Sequence, residues 1–335
     1  TTVDSTDNVG QYSDIAIGAD GFPIISYFDA DNLNLEVIKC DDIACSNGGE
    51  TISTVDNSGE VAGYTSIAIA PDGLPVISYF DDTNYYLQMA KCNDVACTGG
   101  DETITDVDDG GEAGSYTSIA IGSGGFPVIS YYDDSNIQLM MARCNNATCS
   151  SKTITAVDDS GDGGSYTSIA IAPDGLPVIS YYDETNIYLK VAKCSNTTCS
   201  SKTLTTVDST GNAGSHTSIA IGTDGFPVIS YYDETNTALK VAKCNNATCS
   251  SSTITTVDNS ASVGTFTSIA IGPDGFPVIS YYDDTNDNLL VAKCNDVACA
   301  GADETITAVD STNTVGQYTS LSLIHISEPT RLTSI

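Results

Sequence analysis

Short apolar runs alternate with polar turns along this chain, and the whole pattern recurs. One copy reads Thr167-Ser-Ile-Ala-Ile-Ala-Pro-Asp-Gly-Leu-Pro-Val-Ile-Ser-Tyr-Tyr-Asp183, followed by Leu189 to Cys194, Cys199 and Thr203 to Asp208. The apolar periodicity is that of strands, and no stretch has a helical period. Each copy predicts four strands: A (Thr-Ser-Ile-Ala-Ile), B (Phe/Leu-Pro-Val-Ile-Ser-Tyr-Tyr/Phe), C (Leu-Lys-Val-Ala-Lys-Cys) and D (Thr-Ile-Thr-Thr-Val-Asp). Turn residues mark every boundary: Pro-Asp-Gly after A, Asp-Glu-Thr-Asn after B, a Cys-bracketed loop after C and a Gly-rich stretch after D. Strand B is apolar on both faces, as a strand sandwiched between sheets must be.

The first cysteine of each copy stands at 40, 92, 144, 194, 244 and 294, so the period is about 50 residues. Four strands per ~50-residue unit, repeated in tandem, predict an all-β β-propeller, with a β-solenoid as the weaker alternative. The complete units are read as blades at about 13–64, 65–116, 117–166, 167–216, 217–266 and 267–318. The chain opens on a D-type strand and closes on the start of an A-type strand. Residues 1–12 and 319–320 are therefore expected to contribute a partial blade. Six complete four-stranded blades plus this fragment predict seven blades in the parent protein, all in one domain over residues 1–320.

The repeat breaks after Ser320. Residues 321–331 (Leu-Ser-Leu-Ile-His-Ile-Ser-Glu-Pro-Thr-Arg) resemble a translated tagmentation sequencing adapter, so 321–335 is expected to be a non-native tail on a piece of a longer protein, of metagenomic origin. Without it the chain holds one Arg, Arg143, and one His, His216.

Twelve cysteines form six Cys-x4-Cys pairs: Cys40/Cys45, Cys92/Cys97, Cys144/Cys149, Cys194/Cys199, Cys244/Cys249 and Cys294/Cys299. Each pair brackets the C–D turn, so its two ends are expected to lie close on a hairpin. That predicts one local disulfide per blade. A zinc site would need four ligands, and each loop offers two thiols and no His. Disulfides point to an oxidising compartment, so the protein is expected to be secreted or at the cell surface. Asn146, Asn196 and Asn246 begin N-glycosylation sequons in these loops.

Charge narrows the partners. The 335 residues carry 11 Lys+Arg against 44 Asp+Glu, a formal charge of −33. Such a chain repels phosphate backbones and anionic lipid, so no nucleic acid is expected as a partner. No apolar run approaches the ~18 residues of a membrane span, so no membrane insertion is expected. One cation recurs before the first cysteine of every copy: Lys39, Lys91, Arg143, Lys193, Lys243 and Lys293. These are expected to form structural ion pairs with one of two recurring Asp columns. One column follows the strand-B aromatics (Asp29, Asp81, Asp133, Asp183, Asp233, Asp283). The other ends strand D (Asp4, Asp56, Asp108, Asp158, Asp208, Asp258, Asp310).

Meander geometry sends the B–C and D–A loops to one face of the disc and the A–B and C–D loops to the other. Much of the negative charge is expected on the first face. Candidate ligand-binding residues there are Tyr132, Asp133, Tyr182, Asp183, Tyr232, Asp233, Tyr282 and Asp283, although packing in the core is the favoured use for the tyrosines of most copies. Asp158-x-Ser160-x-Asp162-Gly163 resembles the opening of a calcium loop, so calcium is the one cofactor considered, at Asp158, Ser160 and Asp162. A solvated acidic turn is the alternative.

Near-identical copies and a single His support no Ser-His-Asp or Cys-His arrangement. The three-arginine clamp of propeller sialidases has no counterpart in a chain with one Arg. On these grounds the chain is expected not to be an enzyme. The repeats resemble those of uncharacterised secreted bacterial β-propeller proteins and, in unit length and blade repetition, the propeller lectins. That resemblance implies a multivalent, lectin-like recognition module for a glycan or an extracellular protein ligand. The alternatives are a structural or adhesive surface scaffold that binds proteins or self-assembles, and a hydrolase with its active site in a missing part.

Overall fold

A computed structural model of the chain describes residues 2–5, 8–301, 303–312 and 314–323. Six antiparallel four-stranded sheets follow one another: β1–β4 over residues 9–56, β5–β8 over 61–108, β9–β12 over 113–158, β13–β16 over 163–208, β17–β20 over 213–258 and β21–β24 over 263–310. Every sheet is a simple meander, and the sheets pack face to face as the blades of a β-propeller. The described residues contain no helix, so none is long and apolar enough to cross a membrane.

The second strand of each blade is the core of the disc. In Pro177–Asp183 all seven residues are buried, as the two-sided apolar run predicts. Its first tyrosine packs between blades: Tyr79, Tyr131, Tyr181, Tyr231 and Tyr281 are 0% exposed. Each phenol donates to the Asp that ends the preceding blade, as Tyr181 does to Asp158 at 2.6 Å and Tyr281 to Asp258 at 2.7 Å. A hydroxyl can be buried here because a carboxylate meets it. Tyr27 finds the same partner in Asp4, 2.9 Å away in the N-terminal segment.

The innermost strands run longer than the apolar pattern suggests. In blade 4 strand β13 covers Gly163–Ile171, not only the Thr-Ser-Ile-Ala-Ile core, because a β-bulge interrupts the register between Ser165 and Ser168. The bulge breaks the period-2 signal, so its first half reads as a Gly-rich loop. Gly164 stands inside it for a steric reason. Its φ is +129°, and a Cβ would lie 2.7 Å from the Cα of Leu139 in the preceding blade.

Blade-to-blade hydrogen bonds lock the inner strands into a ring. Ile119 N donates to Ser66 Oγ, Ile169 N to Ser118 Oγ, Ile219 N to Ser168 Oγ and Ile269 N to Ser218 Oγ, each at 3.2 Å. Asp14 takes the serine's place toward Ile67 N, at 2.8 Å. The segment after β24 completes the circle. Leu321 N donates to Ser268 Oγ at 3.1 Å, and Ile15 N donates to Ser320 Oγ at 3.3 Å. The ring thus has seven inner members, although six sheets are complete. Of the tail expected to be non-native, residues 324–335 lie outside the described residues.

All six expected disulfides are present: Cys40–Cys45, Cys92–Cys97, Cys144–Cys149, Cys194–Cys199, Cys244–Cys249 and Cys294–Cys299, with Cα–Cα distances of 4.7–5.1 Å. The second cysteine lies in the loop ahead of strand D. Cys45 precedes β4 (Thr51–Asp56), and Cys249 precedes β20 (Ser252–Asp258). Both sit in a turn that directly follows strand C. Cys45 N donates to Asp42 O at 3.4 Å, and Cys249 N donates to Asn246 O at 3.2 Å. A five-residue separation lets the chain fold back on the end of strand C without reaching strand D. The tight reversal puts the second cysteine in the left-handed region: φ is 45° at Cys45, 51° at Cys97, 55° at Cys149, 54° at Cys199, 53° at Cys249 and 50° at Cys299. Cys45 and Cys249 are nonetheless buried.

The recurring lysines do form ion pairs, but not with either expected Asp column. Lys39, Lys91, Lys193, Lys243 and Lys293 meet Asp20, Asp72, Asp174, Asp224 and Asp274 of the A–B turns at 2.7–3.1 Å. The C-terminal end of strand C lies beside that turn in the meander, whereas both Asp columns lie at the opposite end of the blade. In blade 3 the turn is Ser123-Gly124, which has no carboxylate, and Arg143 donates to Asn145 Oδ1 instead. Both Asp columns are served by other lysines: Lys190 lies 2.5 Å from Asp158 and 3.2 Å from Asp183, and Lys240 lies 3.5 Å from Asp208 and 2.5 Å from Asp233.

Candidate functional site

Two features of the B–C/D–A face stand out: a hydrogen-bonded group repeated at blade junctions and an aromatic ring around the axis.

At the junctions, the second strand-B tyrosine of one blade reaches the entry to the next. Tyr132 donates to Asp162 Oδ1 and Tyr182 to Asn212 Oδ1, both at 2.5 Å, and the Tyr232 hydroxyl lies 3.3 Å from Ser262 Oγ. Tyr282 donates to Asp287. The acceptors sit above the tyrosines because the D–A loop is tied to the B–C turn of its own blade. Asn212 N donates to Thr235 Oγ1 at 2.7 Å, and Asn212 Nδ2 donates to Glu234 Oε2. Glu234 N in turn donates to Asn212 O at 2.9 Å. The junction of blades 4 and 5 therefore carries a tyrosine, an amide and a carboxylate in one hydrogen-bonded chain.

The tip of the B–C turn is tied to the chain next to this junction, as Ile187 O accepts from Ala213 N beside Asn212. Leu33, Tyr85, Ile137 and Ile187 are 37%, 51%, 48% and 41% exposed. All have positive φ, between 53° and 64°. Their carbonyls explain the geometry: Leu33 O, Tyr85 O and Ile187 O accept from Val61 N, Ala113 N and Ala213 N of the next blade. For a β-branched residue such as Ile187 this conformation costs of order 1–3 kcal/mol. An exposed side chain gains no burial energy in return.

The sequence-predicted residues separate on this face. Tyr132, Tyr182 and Tyr232 place their hydroxyls in the junctions, Tyr282 turns its hydroxyl to Asp287 of its own B–C turn, and all four residues are buried. Asp133, Asp183, Asp233 and Asp283 lie beneath, 0–6% exposed, and shape the B–C turn. Asp183, for example, accepts from both the backbone and the side chain of Asn186. Asp158 is 2% exposed, and its oxygens are taken by Ser160, Tyr181 and Lys190. Asp162 accepts from Tyr132. Among the described residues no three His, Cys, Asp or Glu side chains converge as they would to hold a metal ion.

The axial ring was only partly legible in the sequence, as a column in which His216 replaces tyrosine. It comprises Tyr12, Tyr64, Tyr116, Tyr166, His216, Phe266 and Tyr318, with neighbouring ring centroids 4.4–4.7 Å apart and tilted by 43–60°. All seven have φ of 52–57°; six sit in the bulge of an inner strand, and Tyr318 lies in a turn of the segment after β24. The ring lines a cavity of about 370 Å³, and one of about 180 Å³ also touches the Ser and Thr that follow each aromatic. Burial raises the hydroxyl pKa values of Tyr64, Tyr116 and Tyr166.

Burial among these rings lowers His216 to about 4. A His with a depressed folded pKa is neutral in the native state while the unfolded chain takes up a proton below about 6.5. Its contribution is complete above pH 6.5 and is lost as pH falls toward 4. His216→Phe, which copies Phe266, is expected to remove that loss. Denaturant titrations of both proteins at pH 7 and 4.5 check this: the variant should gain on the order of 2 kcal/mol relative to the parent between the two.

No family model matches this chain, and no curated protein matches it. Solved structures do. A sialidase from Streptococcus pneumoniae is 10% identical with a TM-score of 0.55, covering 85% of this chain and 68% of its own. The Aleuria aurantia lectin, in complex with Fucα1-6GlcNAc, is 13% identical with a TM-score of 0.53, covering 89% and 95%. An α-L-arabinofuranosidase of Fusarium graminearum is 11% identical with a TM-score of 0.52, covering 90% and 92%. At these identities the likeness is one of fold.

One expectation is overturned. The chain was expected not to be an enzyme because its copies are so alike, yet hydrolases share this architecture. Catalytic groups of a propeller can sit on loops at the mouth of the disc, so a regular blade core does not argue against catalysis.

Proposed function

We propose that the chain is an extracellular propeller that binds glycans at its blade junctions on the B–C/D–A face. The observation that carries this reading is the polar junction in which a strand-B tyrosine meets the entry of the next blade, present at Tyr132, Tyr182 and Tyr232, whereas blades 1 and 2 carry Phe28 and Phe80 in that column. A sugar presents paired hydroxyls and an apolar face of C–H groups. The Tyr182–Asn212–Glu234 chain supplies planar donors and acceptors for the first, and the exposed tip Ile187 supplies a surface for the second. The same elements recur with Tyr132, Asp162, Glu184 and Ile137. The likeness to a lectin in complex with a fucosyl disaccharide supports the choice of ligand class. Six disulfides support an extracellular setting.

A glycan array, followed by variants, tests the reading. Asn212→Ala together with Glu234→Ala is expected to weaken binding to any glycan hit by about tenfold at that junction, with an unchanged melting temperature. Ile187→Gly is expected to weaken binding while raising stability by about 1 kcal/mol through relief of strain. A folded protein that retains no glycan but self-assembles or captures a protein would instead establish the scaffold reading.

A further inference from the structure

The apolar faces of the blades are covered by their neighbours, except at one place in the circle. At the junction of blades 3 and 4, Val128, Leu139, Met141 and Val157 pack against Ile169, Ile179 and Ala192, which come from the first, second and third strands of the next blade. The same columns meet at the junctions of blades 4 and 5 and of blades 5 and 6. In blade 6 the columns continue as Val278, Leu289, Val291 and Val309, and none of the four is fully buried. Val309 is 58% exposed, whereas Val55, Val107, Val157 and Val257 are 0–7% exposed. Ile306 of the same strand is no more exposed than Ile52, its counterpart in blade 1, so the difference lies on one face of the strand.

Blade 1 shows the matching face. Ile15 and Ile25 are half-buried, while Ile269 and Ile279 in the same columns are buried. Val3, Val9, Ile25, Tyr27 and Ile38 line a cavity of about 190 Å³ there. Between the two faces the inner ring keeps its member. Thr319 Oγ1 donates to Phe266 O at 3.0 Å and lies 2.6 Å from Ser280 Oγ, much as Thr267 Oγ1 lies 2.9 Å from Ser230 Oγ. Among the described residues no strand pairs with the 318–321 segment. Asp310 repeats the pattern on the outer side. The other Asp residues of its column, from Asp4 to Asp258, each accept the strand-B tyrosine of the following blade. Asp310 accepts from Thr312 N and Oγ1 and, among the described residues, from no tyrosine.

A closed junction draws on the first three strands of the following blade. With the first place filled by 318–321, a second and a third strand remain to be supplied, apolar on both faces and carrying a tyrosine for Asp310. Unpaired backbone groups along the inner segment give an added strand its register, as in β-strand addition. The hairpins of a second folded copy are sandwiched within their own blades, so the occupant is a separate segment. We propose that the sector between blades 6 and 1 is a docking site for a β-hairpin of another polypeptide, with the chemistry of this repeat's own second and third strands. The proposal does not depend on the glycan reading.

A synthetic peptide of residues 227–243, the second and third strands of blade 5, is the probe. It carries Ile229, Tyr231 and Ala242 for the blade 6 face and Val228, Leu239 and Val241 for the blade 1 face, and it ends before Cys244. Added in excess to the intact chain, it is expected to bind one per chain by fluorescence anisotropy and to raise the melting temperature by several degrees. A peptide of the same composition in scrambled order is expected to do neither. Tyr231→Phe in the peptide is expected to weaken binding about fivefold on the parent chain and to have no effect on the Asp310→Ala chain. Val309→Lys, at an exposed position, is expected to leave the chain folded by circular dichroism and to abolish binding. Equal binding of the scrambled peptide, binding unmoved by Val309→Lys, or no binding by the folded parent would each overturn the proposal. So would a dimer of the chain, seen by sedimentation, that Val309→Lys dissociates, because a second copy would then occupy this face.

Discussion

Reduction of all six disulfides is expected to unfold this protein at ambient temperature. Each bond closes a loop between cysteines five positions apart. The chain-entropy model gives about 2 kcal/mol for a loop that short. Six such bonds amount to about 12 kcal/mol, which is comparable to the whole stability of an ordinary domain. The sulfurs are also core atoms: Cys92, Cys97, Cys144, Cys149 and Cys299 are 0% exposed and pack in the inter-blade clusters. Cys249 joins the cluster of blades 4 and 5, and Cys45 a smaller one around Tyr27. A single pair removed as Cys194→Ala with Cys199→Ala should cost about 2–3 kcal/mol, read from the denaturant midpoint. A fully reduced protein that keeps its native midpoint would show that the blades stand on packing alone.

Asp158→Ala is expected to be the most damaging single substitution away from the cysteines, at about 3–5 kcal/mol. It strips the acceptor from the buried Tyr181 phenol at 2.6 Å and the nearer of two counter-charges from Lys190 at 2.5 Å, leaving that lysine only Asp183 at 3.2 Å. Burial raises the Asp158 carboxyl, but Lys190, Ser160 and Tyr181 outweigh it and hold the carboxyl below its ordinary value. Its contribution is therefore present at neutral pH and is lost as pH falls below the usual carboxylate range. Lys190→Leu should cost about 1 kcal/mol or less. The repeat supplies that comparison itself: blade 6 has Leu290 at this position, and its Asp258 is still satisfied by Tyr281 and the backbone of Ser260. Chemical denaturation of the two variants side by side separates the acceptor's role from the cation's.

These contrasts show how much of the molecule can be read from its sequence. The two-sided apolar run Pro-Val-Ile-Ser-Tyr-Tyr announces a buried strand, and it is one in every blade. Cysteines five apart close on each other, so the pairing was legible. The turn conformation was not: Cys45 and Cys249 reverse the chain at positive φ before strand D begins, which spacing alone does not reveal. The inner strand was legible only in its second half, because the bulge at Tyr-Thr breaks the alternation on which strand reading depends. For the same reason the aromatic column looked like loop variation, although all seven of its members face the axis. The lysine partner was misassigned because two Asp columns were conspicuous and the A–B turn Asp was read only as turn chemistry. Proximity in a meander follows strand ends, so the carboxylate at the same end of the blade takes the lysine. The polar junctions join residues 30 positions apart in two copies, such as Tyr182 and Asn212, and no single-copy motif displays them.

Recognition of glycan at repeated junctions is read most plainly in the stoichiometry of a monovalent sugar. Titration calorimetry of the intact chain with a monosaccharide or disaccharide hit should give at least two equivalent sites per chain, with one lost in the Asn212→Ala, Glu234→Ala variant. A single site per chain, or a stoichiometry unmoved by that variant, would contradict it.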